Sequence, residues 1–503
     1  MRPMTAAAIL TGLCLATAGP AAPAQVPAAT TPVPETAPVS PVDIRADFAS
    51  LYATLQEAHY DLFAHRPKRD YDAYFHTLDA TIRAPMDKAQ AARLFQRFMA
   101  YGRIGHARID APTVDFVTAL RGGGKFLPLF IRVDGDRTFL TAPAEESGTI
   151  GAGAELVAIS GQPIGTWLTR LGGYVSAERS YMAHAQMEES FPALLWMDLG
   201  PVESVPVTVR INGRRVTMPI KAVTFEGRRA LARRFPAASL KTDFETRDYK
   251  VLADGIGYLR PGPFFNTDGK ADGPAPSYDA SSFRRFIDDS FARIVASGAT
   301  DLIIDVRNNP GGDNSFSDPM VAWFADRPFR FASSFMLKAS AATKAYYLRQ
   351  KARAEPVDAD LARMMETEAR QPNGTRYAYD LPLVAPRAEP RFHGRIWVLA
   401  NRHSYSNAAS VAALVQDYKF GKVMGEETAD VASNYASVLY FDLPRTGITV
   451  TYPKSHFIRP NGADEVTGVV PDVMLPRQPI TGDRDVMLDA ALRHVQHEAS
   501  RTP

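Results

Sequence analysis

A chain of 503 residues, 46% hydrophobic and 22% charged, can bury sizeable cores in about three globular domains. Its 57 basic and 55 acidic residues leave a formal charge of +2, so no polyanion, and no nucleic acid, is implied as a partner. The single cysteine, Cys14, lies in a segment expected to be removed, which excludes cysteine catalysis, a cysteine zinc site and a disulfide framework in the mature chain.

In chain order, residues 1–24 combine a basic start, an apolar stretch from Met4 to Ala18 and small-residue cleavage sites, the pattern of a secretory signal peptide. The protein is therefore expected in the periplasm or outside the cell. Lipidation at Cys14 is not favoured, because Thr11-Gly-Leu-Cys14 departs from the usual lipobox. No later stretch reaches the roughly 20 apolar residues of a membrane-spanning helix. Residues 25–42 are rich in Pro, Ala and Thr and read as a tether.

From residue 43 to 114 the spacing of Phe48, Leu51, Tyr52 and Leu55, then Tyr71, Tyr74, Phe75 and Leu78, predicts a helical subdomain. Residues 115–225 read instead as short strands, at 126–133, 138–141, 155–164 and 205–213. A larger unit follows over 226–482, with a charged helical insertion at 338–375 carrying Tyr346, Tyr347, Leu348, Leu361, Met364 and Met365. That insertion is open to three readings: a cover over the site, an oligomer contact or a decorated surface. Residues 483–503 form a terminal helix and tail.

Two segments in the larger unit carry chemistry. Asp301-Leu-Ile-Ile-Asp305 is an apolar run ending in Asn308-Asn-Pro-Gly311-Gly312, where glycines allow a sharp turn and bring backbone amides close to a ligand. Arg395 to Ala400 is a second apolar strand. It enters a polar turn and then a small-residue helix that opens directly after Ser406. A serine there projects its hydroxyl at the unpaired amides and positive dipole of a helix start, although serine is also a common helix cap. A Gly-x-Ser-x-Gly elbow, a His-Glu-x-x-His metal helix and a phosphate-cradling glycine loop are all absent, and no cofactor or metal is called for.

The ordered set Ile256-Gly-Tyr-Leu-Arg260, Asp305 to Gly312, Ser404-Tyr-Ser-Asn-Ala-Ala409, Val423-Met-Gly-Glu-Glu-Thr428 and Glu465-Val-Thr-Gly-Val-Val-Pro-Asp472 resembles the carboxyl-terminal-processing and tricorn-core serine peptidases. The resemblance implies an α/β, ClpP/crotonase-like catalytic core. It also implies that the β-rich segment is PDZ-like, since Gly151-Ala-Gly-Ala-Glu-Leu-Val-Ala-Ile-Ser-Gly-Gln-Pro-Ile164 is similar to the hallmark of such modules, without its usual aspartate. Where the tail-specific branch has its catalytic lysine, this chain has Val431. Lys422 and Lys454 read as surface lysines.

A serine needs a proton acceptor. The tricorn-like branch takes a histidine from upstream, and Tyr101-Gly-Arg-Ile-Gly-His106 resembles that segment. His106 is the expected general base, with His456 as its rival and His403 read as a capping or packing residue. The closing motif implies Glu465 as the group that orients the imidazole, while Asp472 reads as a cap. The resulting expectation is a secreted peptidase acting on peptides or unfolded proteins through a Ser406-His106-Glu465 triad. Its oxyanion donors are the amides of Gly311 and Asn407, with Gly312 as the neighbouring alternative. A peptide-binding envelope scaffold without turnover, and an esterase using the same serine, are the competing expectations. Oligomeric state is open, a homo-oligomer included.

Overall fold

The structure is a computed structural model. It describes residues 38–501 apart from 236–245, 253–254, 271–272, 275–278 and 353–358. The signal-peptide reading, Cys14 and nearly all of the Pro/Ala-rich segment therefore lie outside the described residues.

Four helices open the described residues: α1 (Pro41–Ala58), α2 (Lys68–Asp79), α3 (Lys88–Tyr101) and α4 (Ala111–Arg121). The predicted apolar stripe packs as a ladder of rings. Phe48 stacks on Phe75 and Phe95, and Tyr52 on Phe75. Helix α3 starts at a capping box in which Asp87 accepts from Gln90 N–H while the Gln90 side chain accepts from Asp87 N–H.

The next unit holds β1 (Ile131–Asp134), β2 (Arg137–Leu140), β3 (Glu155–Ile159), β4 (Gln162–Pro163), α5 (Ile164–Gly172), α6 (Ser180–Leu199), β5 (Ser204–Ile211), β6 (Arg214–Lys221) and α7 (Phe225–Arg234). Its antiparallel sheet runs β1-β2-β3-β5-β6, with β4 on β3. Two strands fall where the sequence predicts them, the one expected over 155–164 is split into β3 and β4 with α5 opening at Ile164, and the expected strand over 126–133 is cut back to its last residues, since Pro128 cannot donate within a ladder. The purely stranded reading also misses α6. That helix buries Met182, Met187, Phe191, Leu194, Leu195 and Met197, so it has no polar face to mark it as an amphipathic helix.

The remaining elements are β7 (Asp248–Val251), β8 (Ile256–Arg260), β9 (Gly269–Lys270), β10 (Gly273–Pro274), α8 (Ser281–Ala296), β11 (Asp301–Asp305), α9 (Asn314–Val321), β12 (Ser334–Lys338), α10 (Ala341–Ala352), α11 (Ala359–Arg370), β13 (Arg376–Ala378), β14 (Arg395–Ala400), α12 (Asn407–Asp417), β15 (Gly421–Gly425), β16 (Asn434–Asp442), β17 (Thr449–Ile458), β18 (Val473–Met474) and α13 (Val486–Arg501). The central sheet is ordered β18-β15-β14-β11-β8-β7. It is parallel from β18 to β8.

Both faces of this sheet are covered, as a parallel sheet requires. Leu302, Ile304, Ile396 and Val398 face α8, α9 and α12 through Phe283, Phe291, Met320 and Val411. Ile303, Trp397 and Leu399 face α13 through Met487, Ala491 and Val495. This accounts for the continuous apolar runs in the sequence. A second sheet, β13-β12-β17-β16, lays Leu439, Val450 and Tyr452 into the core of the N-terminal helices.

The charged insertion joins that same core. Tyr347 and Met365 are buried in it, with Tyr346 and Leu361 packed alongside, so most of its apolar residues serve internal packing. Leu348 is exposed.

Candidate active site

Strands β11 and β14 are neighbours in the parallel sheet, and the turns at their carboxyl ends are laced together. Ser404 Oγ donates to Val306 O at 2.7 Å, Asn401 Nδ2 to Asn308 Oδ1 at 2.8 Å, and Tyr405 N to Asn309 O at 2.9 Å. The Gly-Gly turn is thereby held against the Ser406 turn. A Cβ on Gly311 would lie 2.6 Å from Ser406 Cβ and 2.7 Å from Asn407 N, so only glycine fits there.

Ser406 itself has φ 52° and ψ −124° immediately before α12. This left-handed conformation is unusual for a residue with a side chain and is characteristic of a serine thrust out of a strand-to-helix turn. Its amide donates to Asp430 Oδ2 at 3.0 Å, which pins the strained residue from the far side.

His106 comes from the loop after α3, and the loop is anchored on three sides. Arg108 exchanges two backbone hydrogen bonds with Thr451 of β17, Ile109 N donates to Gln96 Oε1 at 2.6 Å, and Gly105 N donates to Glu178 Oε1 at 2.7 Å. The imidazole stacks on Tyr405 with centroids 5.3 Å apart. Its Nε2 lies 3.3 Å from Ser406 Oγ and 3.7 Å from Asp430 Oδ2. Burial, with Arg108 nearby, pushes the imidazole down to about 3, so at neutral pH the ring is an uncharged proton acceptor. Asp430 is fully buried; burial above all raises both its carboxyl and that of Glu178, whose proximity to Asp430 adds to the effect.

The expected oxyanion donors divide. The Gly311 amide is already bonded to Asn309 Oδ1 at 2.9 Å, so it is turned into its own loop. Asn407 N, at the first position of α12, and Gly312 N, on an exposed residue of the adjoining Gly-Gly turn, make no hydrogen bond among those recorded for the described residues.

Glu465 is exposed, and no hydrogen bond or ion pair recorded among the described residues joins it to His106, so the expected orienting contact is not formed here. Its neighbour Asp464 instead pairs with His456 at 3.2 Å, and His456 stacks on Tyr60. The loop does reach the site indirectly. Thr467 O accepts from Ala432 N and Gly468 N donates to Glu427 Oε1, which braces the segment carrying Asp430.

Other candidates sit elsewhere. His403 is clamped between Glu188 at 3.2 Å and Glu189 at 3.0 Å. Lys422 pairs with Glu498. Lys454 is not the surface lysine expected from its turn-like context: it lies in β17, buried, with Nζ 3.3 Å from Met364 Sδ. Val431, at the lysine position of the tail-specific branch, packs with Ala177 and Met182. Sequence reasoning missed Asp430, Asn434 and Glu178; Asp430 lies within the window searched for a lysine, two residues after Thr428.

Residues 256–475 match the model of peptidase family S41. This segment is a serine-type peptidase region of family S41. Mature CPAF in complex with lactacystin shares the fold at a TM-score of 0.58 and 18% identity, over 91% of this chain and 97% of that one. Mature CPAF alone aligns with the same score and identity, over 91% and 96%. The photosystem II D1 C-terminal processing protease aligns at a TM-score of 0.43 and 17% identity, over 89% and 98%. No curated protein matches the sequence.

Proposed function

We propose that this protein hydrolyses peptide bonds of peptides or unfolded proteins through an acyl-enzyme formed on Ser406, with His106 as general base, after export from the cytoplasm. The observation that carries the reading is the 3.3 Å approach of His106 Nε2 to Ser406 Oγ, within reach of a hydrogen bond that shortens as substrate docks. Ser406 Oγ attacks the carbonyl carbon as its proton passes to Nε2, and the carbonyl oxygen becomes an oxyanion facing the amides of Gly312 and Asn407. Collapse breaks the C–N bond while Nε2 returns the proton to the leaving amine. Water then repeats the sequence on the ester.

In this reading Asp430, beside Nε2, stabilises the imidazolium, a part the sequence suggested for Glu465. The β-rich unit is a PDZ-like module offering a sheet edge to an extended peptide.

A fluorophosphonate probe tests the nucleophile: labelling of the wild type that vanishes in Ser406→Ala is expected, and an unlabelled folded wild type favours the scaffold. Peptide and ester substrates assayed side by side separate peptidase from esterase. Edman sequencing of the exported chain tests signal removal.

A further inference from the structure

We infer that Asn434 is the residue that selects the working tautomer of His106, by accepting the Nδ1 proton on its side-chain oxygen. The inference rests on His106 being the base.

Three facts converge on it. His106 Nδ1 is buried with no hydrogen-bond partner, and so is Asn434 Oδ1. A buried orphan donor or acceptor is costly, and two orphans of complementary type on neighbouring side chains remove that cost by pairing. Asn434 is 2% exposed and His106 5%, so water is poorly placed to serve either atom. The Asn434 carboxamide also lies against both His106 and Asp430.

The orientation of the carboxamide follows from its other neighbours. Asn434 Nδ2 reaches Val431 O at 3.4 Å, and the Asp430 carboxylate, in the ionised form that receives the Ser406 and Val431 amides, can only accept. Both acceptors therefore claim the NH₂ end. The oxygen is left for the ring. A ring that donates through Nδ1 presents the Nε2 lone pair to Ser406, which is the tautomer a general base requires. With no acceptor at Nδ1, the proton would favour Nε2, where Asp430 Oδ2 lies 3.7 Å away, and the ring would face the serine as a donor.

Asn434 is thus a positioning residue at the first place of β16. Ser433 Oγ, one residue earlier, accepts from Arg459 N at 3.0 Å and donates to Ala463 O. This anchoring gives the closing-motif loop a share in aiming the imidazole.

The test is the ¹⁵N spectrum of His106 in the full exported chain, assigned by difference from His106→Gln, together with steady-state kinetics. In the wild type His106 is expected as the Nδ1–H tautomer. In Asn434→Ala the Nε2–H form should dominate and kcat fall about 10²- to 10⁴-fold with KM little changed. Asn434→Asp should recover part of kcat and move the acid limb of the pH profile upward, because a carboxylate stabilises the imidazolium. A wild-type His106 protonated on Nε2 overturns the inference even if Asn434→Ala cannot be folded. So does an Asn434→Ala variant that keeps the Nδ1–H form. Full turnover in His106→Ala alongside a wild-type Nδ1–H ring would instead remove the base assignment and leave the Asn434 contact standing.

Discussion

His106 Nε2 and Ser406 Oγ lie 3.3 Å apart although 300 positions separate them in the chain. The imidazole belongs to the N-terminal helices and the alcohol to the parallel sheet, so the proposed catalytic pair exists only when those parts are docked. Replacing either residue by Ala should lower kcat/KM roughly 10⁴- to 10⁶-fold, and the double variant should be no worse than the singles, because the two act as one unit. Circular dichroism should show both variants folded.

Gly311→Ala is expected to abolish labelling of Ser406 and to destabilise the chain by about 2 kcal/mol or more. The added Cβ would meet Ser406 Cβ at 2.6 Å and the Tyr405 carbonyl oxygen at 2.6 Å, on a backbone already at φ +88°. Neither neighbour is a flexible side-chain end that can swing away. A urea titration with unchanged midpoint would show that the turn yields more than this geometry allows.

Buried neutral histidines set an acid limit on stability. Burial holds both His59 and His106 down to about 3, from 6.5. Above 6.5 the rings are neutral folded or unfolded; below it the unfolded chain takes up protons that the folded chain refuses, so stability falls progressively from about pH 6.5 towards pH 3. Thermal melts across that window should lose part of their slope in His59→Gln, and an unchanged slope would contradict the burial.

His403 behaves oppositely. Although burial disfavours its charge, Glu188 and Glu189 raise it to about 9. Its contribution is complete below 6.5 and is lost as pH rises through about 9. His403→Gln should therefore melt lower than the wild type at pH 6, with the gap closing by pH 10. Because Glu188 and Glu189 ride on α6 and His403 lies in the Ser406 turn, Ser406 labelling at pH 6 should slow in the same variant.

Local chemistry made much of this protein legible from residues alone. Apolar runs bounded by Asn308-Asn-Pro-Gly-Gly and by His403-Ser-Tyr-Ser406 disclose two strands ending in special turns, because strand burial and turn geometry depend on near neighbours in the chain. The family resemblance added His106, and the order of its motifs implied the core. Packing of three remote segments decided the rest: that Asp430 holds the Ser406 amide, that Glu178 holds the Gly105 amide, that Asn434 lies against the ring, and that Glu465 faces solvent. A carboxylate or a carboxamide reads alike in a sequence whether it ends in water or in a buried site; its desolvation and its partners are properties of the docked fold, and those are what make it chemical.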